Sequence, residues 1–288
     1  QTALSLARQG HMVHIYQANE GAFWLDRLWR SFTHTPQSKA NSHLSFHQPI
    51  YIFPDSSHPL IHNINRFVAL KIFSIWMQLR SSRPQLLWLC ALEHYYYPAF
   101  FPNWRNLYYC SDYFNFEKSL TSSAKEREVQ ETTLLRQADF AFVNSHTLHA
   151  LHRGKRRKLH IVSHGFCVDD FQQPHQVPVI KKKKRLLLGY VGGISERMDW
   201  QLLETLVTEH PEWDFAFYYP ATQGPSKAAS LEFGRLIQYK NVIHGTTSHR
   251  RKLAGYMKQF DVGIIPYDST RLFNRYCFPM KIYEYFYL

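Results

Sequence analysis

The sequence predicts an α/β protein of two domains built on doubly wound parallel sheets, and three observations carry that prediction. Short apolar runs of strand type alternate with helical stretches along most of the 288 residues, the order that yields parallel sheets. The length suits two domains better than one. Between Phe171 and Lys184 the chain carries Pro174, Pro178 and four consecutive lysines, the composition of a linker. The expected organisation is a first domain over 1–171, a linker over 172–184 and a second domain over 185–288.

The elements follow in order. Thr2 to Gln9 reads as a helix stopped by Gly10, with a strand from Met12 to Tyr16. A helix-then-strand opening implies a preceding strand. The helix begun at Pro279 reaches Leu288 without a cap, so the chain reads as cut at both ends. Gly21 to Pro59 has little periodicity and is rich in His, Ser and aromatics. It reads as loops with short strands, a candidate acceptor-facing surface. Asn65 to Arg80 has helical spacing, and Gln85 to Cys90 and Asn106 to Cys110 are strand-type runs. A long helix is expected over Glu117 to Gln137, a buried strand over Phe140 to Asn144, and a helix from Thr147 to His152 capped by Ser145. Past the linker come the strand Arg185 to Val191, the helix Trp200 to Thr208 and the strand Asp214 to Tyr219. A helix near Ser226 to Gln238, the strand Val242-Ile243, the helix Arg251 to Gln259 and the strand Val262 to Pro266 complete the pattern.

Composition narrows the chemistry. Hydrophobic residues at 45% exclude wholesale disorder, and a net charge of +12 points to anionic partners: nucleotide diphosphates, phospholipid headgroups or nucleic acid. No helix-turn-helix, RRM or zinc signature supports nucleic acid, so none is expected. Cys90, Cys110, Cys167 and Cys277 show no paired spacing and read as buried thiols in a reducing compartment. The 17 histidines form no metal-binding helical pair, so no metal site is predicted. No apolar run reaches the ~18 residues of a spanning helix, and there is no signal peptide; a cytoplasmic protein is expected. Ten Lys and Arg residues cluster at Arg153 to Lys158 and Lys181 to Arg185. They read as a solvated face or as a peripheral contact with anionic lipid on the inner face of the membrane.

Two stretches carry chemistry. In Gly189-Tyr-Val-Gly192-Gly193-Ile-Ser-Glu-Arg197, glycines directly after a strand let the backbone approach a phosphate. The following helix would offer its positive end and Arg197 a bidentate contact to a diphosphate. The same glycines also suit any tight βα turn. In Pro279-Met280-Lys281-Ile282-Tyr283-Glu284-Tyr285, Lys281 and Glu284 lie about one helical turn apart. A carboxylate there can accept both ribose hydroxyls while the lysine neutralises phosphate, although an ordinary i, i+3 salt bridge has the same spacing.

The order of motifs resembles that of the GT-B glycosyltransferases, and among them the family-4-like enzymes of polysaccharide and glycan assembly. Glu131-x-x-Leu134-Leu135-x-x-Ala138-Asp139 with Val143-Asn144-Ser145 is similar to the family's last helix and strand before its linker. Ser163-His164-Gly165 with Phe171 and Leu188-Gly189-Tyr190-Val191-Gly192 resemble its next two segments. Asn241-Val242, Gly245, Tyr256, Phe260-Asp261-Val262-Gly263 and Pro266-Tyr267 resemble the strands beside the base, and Pro279-x-Lys281-x-x-Glu284-Tyr285 its terminal motif. The resemblance implies two Rossmann-like domains facing a cleft, with a UDP- or GDP-sugar donor on the second and a glycan or lipid-linked acceptor on the first. It implies that Gly192, Gly193 and Arg197 face the diphosphate, Glu284 binds ribose, Lys281 meets phosphate or sugar, and His244, Gly245 and Thr246 border the base. The reaction implied is retaining transfer, with leaving-group charge neutralised by side chains and helix dipoles and no metal cofactor.

The chain departs from that pattern at Tyr276, where an acid is usual, at Gly193, where a basic residue is usual, and at Cys167, where an aspartate is usual. On the acceptor side, Asp112 and His94 each follow a strand-type run and are candidates to orient or deprotonate a hydroxyl. Two other readings stay open: a noncatalytic partner protein of the same fold, and a nucleotide-sugar epimerase of the same architecture.

Overall fold

A computed structural model of the chain describes residues 2–16, 22–23, 43–53, 59–80, 85–113, 123–156, 158–166, 168–172, 176–180, 185–222, 224–247 and 250–288. Cys167, the lysines 181–184 and the first residues expected in the long helix, 117–122, lie outside them. The chain divides into two compact units, residues 1–107 with 137–139, and residues 108–136 with 140–288. Residues 172 and 176–180 of the expected linker fall inside the second unit.

The first unit opens with α1 (Thr2–Arg8), ended by Gly10 at φ +90°, and β1 (Val13–Tyr16). β2 (Ala22–Phe23), β3 (Leu44–His47) and β4 (Ile50–Tyr51) follow, with β1 parallel to β3 and β2 parallel to β4. α2 (Pro59–Arg80) begins six residues before the start expected at Asn65, because proline suits the first helical turn, where its missing N–H costs nothing. Buried Asn65 on α2 accepts from the N–H groups of Ile52 and Phe53 at 3.0 and 2.9 Å and donates to the Phe53 carbonyl. β5 (Leu86–Leu89), a 3₁₀ helix (Leu92–Phe100) and the start of β6 (Arg105–Cys110) complete the unit.

In the second unit, the end of β6 lies beside β7 (Phe140–Val143), itself parallel to β8 (His160–Ile161). α3 (Ala124–Gln137) is set by a capping box that the sequence reading missed. The Ser123 hydroxyl accepts from Glu126 N–H at 3.2 Å while the Glu126 carboxylate accepts from Ser123 N–H. Ser123→Ala should cost about 1 kcal/mol in urea unfolding. α4 (His146–His152) starts as expected at Ser145, whose Oγ accepts from Leu148 N–H.

The remaining elements are α5 (Asp169–Gln172), β9 (Leu187–Val191), α6 (Trp200–Glu209), β10 (Asp214–Pro220), α7 (Ser230–Leu236), β11 (Val242–Thr247), α8 (Arg250–Met257), β12 (Val262–Gly263), α9 (Leu272–Tyr276) and α10 (Lys281–Tyr287). The strands form a parallel sheet ordered β11-β10-β9-β12. The second strand lies on one side of the first and the fourth on the other, which is the doubly wound arrangement. All five β9 residues are buried. One face packs Tyr190, Phe215 and Phe217 against Leu203, Val207 and Phe233, and the other packs Val191, Ala216 and Tyr218 against Ala254 and Met257. Helices thus cover both faces, and the α/β class with parallel sheets is borne out.

Some expectations need correction. β11 runs to Thr247 because Gly245 and its neighbours keep pairing with β10, so His244, Gly245 and Thr246 are strand residues. β12 is only two residues long, and α9 was not anticipated. Cys90 is exposed, not buried. Among the described residues, no helix is long and apolar enough to cross a membrane.

Candidate functional site

The turn after β9 brings together five of the residues singled out from the sequence. Gly192 has φ +149°, a conformation that favours glycine. A Cβ there would lie 2.4 Å from Lys281 Cε and 2.6 Å from its Nζ, so the lysine side chain lies directly on the glycine backbone. Lys281 Nζ donates to the Tyr267 hydroxyl at 3.1 Å and sits 5.1 Å from the Tyr190 ring centre. Glu284, one turn further along α10, is buried. Gly193 is exposed, and a Cβ on it would meet nothing within 4 Å; its carbonyl accepts from the Tyr190 hydroxyl.

Arg197 is held from several sides. Its guanidinium lies 4.5 Å from the ring centre of Tyr267 and 4.4 Å from that of Phe273. Nε donates to Asn274 Oδ1 at 3.0 Å and Nη2 to Cys277 Sγ at 3.1 Å. Tyr267 therefore carries a cation on its face and another at its hydroxyl. Burial raises its pKa, but Lys281, the Tyr190 hydroxyl and Arg197 outweigh burial and bring it below the ordinary value. Burial, with Tyr267 beside it, drives Tyr190 well above the ordinary value. Among the described residues, neither Lys281 nor Arg197 has a carboxylate within ion-pair reach. Two cations with no carboxylate in ion-pair reach, beside a glycine turn, have the chemistry to meet an anion with several oxygens.

One expected contributor is otherwise engaged. At the N-terminus of α6 the Asp199 carboxylate accepts from Leu202 N–H at 2.9 Å, which puts a negative group at the helix end that the sequence suggested as a positive one. The positive charge of this site comes from side chains. His244, Gly245 and Thr246 lie on β11, separated from β9 by β10. Gly245 makes room for Tyr218, which stacks on Tyr256 with ring centres 3.6 Å apart.

α10 is seated by another pair of glycines. Gly263 pairs with Gly189 across β12 and β9; the Tyr285 ring covers the first and the Phe260 ring the second. The Tyr285 hydroxyl accepts from Val191 N–H at 3.3 Å, and it lies 3.3 Å from the Ile264 carbonyl and 3.4 Å from that of Gly189. This anchor fixes Lys281 and Glu284 on the same short helix.

Asp112 is half-buried in the second unit, two residues past β6. Beside it, Asn144 donates to the Ser111 carbonyl and to His164 Nε2 at 2.7 Å, while His164 Nδ1 meets the Tyr109 hydroxyl at 3.2 Å. That hydroxyl donates to the Val162 carbonyl, so Nδ1 carries the imidazole proton. Tyr276, at the end of α9, lies against Tyr113 with ring centres 4.8 Å apart, and its carbonyl accepts from Ser145. Asp112 is also close enough to Cys277 to raise the thiol electrostatically, after the larger effect of burial. Asn274, Cys277, Phe273 and Tyr190 were not singled out as site residues; Tyr267 entered only within a motif.

His94 belongs to the first unit, in the 3₁₀ helix, 4.6 Å from Tyr97 between ring centres. Burial lowers its pKa to about 4, with Glu93 opposing and Arg66 reinforcing. Its neutral form is the one folding favours, so this stability is complete above pH 6.5 and is lost as pH falls toward 4. Urea unfolding at pH 7 and pH 4 should show a loss of up to about 3 kcal/mol from this group, absent in His94→Gln.

No family model matches the sequence. Over 193 residues the chain is 26% identical to TuaH of Bacillus subtilis (strain 168), provisionally named a teichuronic acid biosynthesis glycosyltransferase. The match takes in 62% of this chain and 47% of TuaH, so the chain spans about half the length of this curated relative. Similar solved structures include TarM, with a TM-score of 0.47 and 12% identity over 68% of this chain and 39% of that one. Another is the lipopolysaccharide outer core galactosyltransferase WaaB in its apo form, at 0.46 and 14% over 71% and 53%. A third, from Listeria monocytogenes and provisionally named a UDP-N-acetylglucosamine 2-epimerase, scores 0.46 at 10% identity over 91% and 68%. The resemblance carried by the motifs is borne out by the curated relative: over those 193 residues the chain is similar to a glycosyltransferase.

Proposed function

We propose that the chain belongs to a glycosyltransferase that moves a sugar from a UDP- or GDP-sugar to a glycan or lipid-linked acceptor in polysaccharide or glycoconjugate biosynthesis. The observation that carries this reading is the pair of cations without carboxylate partners, Lys281 and Arg197, at the glycine turn. In this reading they bind the donor diphosphate and neutralise the charge that develops on it as the glycosidic bond breaks. Glu284 takes the ribose hydroxyls, His244 to Thr246 border the base, and Asp112 orients the acceptor hydroxyl. Retention of configuration and a hexosyl donor belong to the same proposal. So does a peripheral contact with anionic lipid through Arg153 to Lys158 and Lys181 to Arg185. Calorimetric titration with UDP, GDP and their sugar conjugates, repeated on Glu284→Ala, tests the proposal. Binding of one nucleotide that the variant loses supports it; no binding by any of them overturns it.

A second reading has one observation in its favour. Tyr276 stands where the resemblance expects an acid, and its ring lies against Tyr113. A noncatalytic partner protein would bind nucleotide and show no transfer to any acceptor.

A further inference from the structure

We propose that Cys110, Glu131 and His152 form a site for a thiophilic divalent cation, zinc in the first instance, separate from the donor site. The three come from different elements, the end of β6, the middle of α3 and the end of α4. All three are buried, at 0%, 1% and 0% exposure. Thiolate, carboxylate and imidazole are the ligand types that zinc takes together.

The distances favour a metal set over a hydrogen-bonded one. Glu131 Oε1 lies 3.4 Å from His152 Nε2 and 3.8 Å from Cys110 Sγ, and the sulfur lies 3.9 Å from Nε2. As hydrogen bonds these are long and weak. As edges of a coordination shell they fit: an ion at the centre of that triangle would be ~2.1 Å from each atom, against the ~2.0–2.3 Å zinc takes to nitrogen, oxygen and sulfur. His152 Nε2 and Glu131 Oε1 both turn toward the Cys110 sulfur, so one potential ligand atom from each side chain converges on the same buried point.

The surrounding charges leave that position open to a cation. Lys155 Nζ sits 3.7 Å from Glu131 Oε2, the outer oxygen, and 3.8 Å from Glu128. Oε1 alone faces the thiol and the imidazole. The Asp112 carbonyl accepts from the thiol at 3.4 Å, and the fully buried Tyr108 hydroxyl also meets it. Burial raises the thiol and the carboxyl above their ordinary ranges and lowers the imidazole. An entering M²⁺ would replace the thiol proton and release it to solvent. The bound ion would tie α3 and α4 to β6 two residues before Asp112, a structural role.

Cobalt(II) titration of the whole chain, stripped with chelator, tests this. The expected result is one equivalent bound with an intense thiolate-to-cobalt charge-transfer band. Zinc should displace the cobalt, the band should vanish in Cys110→Ser and persist in Cys277→Ser, and zinc should raise the melting temperature. Absence of the band in folded wild type would overturn the proposal whether or not any variant folds. So would an equal band in folded Cys110→Ser, and binding without the band assigns the metal to surface histidines and does the same.

Discussion

Lys281→Ala should lower turnover with the best donor by about a hundredfold or more and weaken nucleoside diphosphate binding by about 10- to 100-fold. A charge-assisted contact contributes about 1.5–3 kcal/mol, and removing a preorganised group that meets charge developing in the transition state costs more in rate than in binding. Arg197→Lys should behave almost as badly as Arg197→Ala. The guanidinium is planar, lies over Tyr267 and Phe273, and is hydrogen-bonded by Asn274 and Cys277, none of which an ammonium reproduces. Gly192→Ala should resemble Lys281→Ala, since its Cβ would occupy the lysine's place. The double variant should be little worse than either single one, because both remove the same contact. Steady-state kinetics and calorimetry check this; a Lys281→Ala protein within twofold of wild type in both would refute the anion-site assignment.

Gly263→Ala should reduce stability and donor affinity together. A Cβ at 263 would lie 2.6–2.8 Å from three carbons of the Tyr285 ring, a distance real contacts essentially never show. Either β12 or α10 must move, at a cost of about 1–3 kcal/mol for an overpacked site. Moving α10 carries Lys281 and Glu284 with it. Gly234→Ala on α7 is the control, since its Cβ meets nothing and alanine favours the helix. Thermal unfolding and UDP or GDP titration of the two variants read both effects. A Gly263→Ala protein with unchanged melting temperature and affinity would show that Tyr285 does not seat the helix.

Strand and helix alternation was legible because the period of the apolar residues changes wherever the chain changes element, and β9, α6 and β10 appear within two residues of their expected bounds. Glycines 189, 192, 245 and 263 were legible as unusual, but the partners that require them, Phe260, Lys281, Tyr218 and Tyr285, were not assigned. Each such pair except 263 with 285 and 245 with 218 spans more than seventy residues, and contacts at that range leave no periodic trace. Asn274, Phe273 and Cys277 were missed because α9 is five residues long and has no repeat to detect. Cys110, Glu131 and His152 escaped the search for metal spacing for a similar reason. They sit twenty-one residues apart on three elements, so only the fold brings them together.

Because Asp199 caps α6, a carboxylate stands at the helix end nearest the glycine turn. The proposed anion site depends on a lysine that joins the chain eighty-nine residues after the glycine it covers. The strands β9 to β12 all precede Lys281 in the chain, so the sheet does not require that residue. In the proposed reading, a chain shortened to end ahead of that residue would keep the strands of this sheet and lose the cation that lies on Gly192, so donor binding would depend on the last helix to be made.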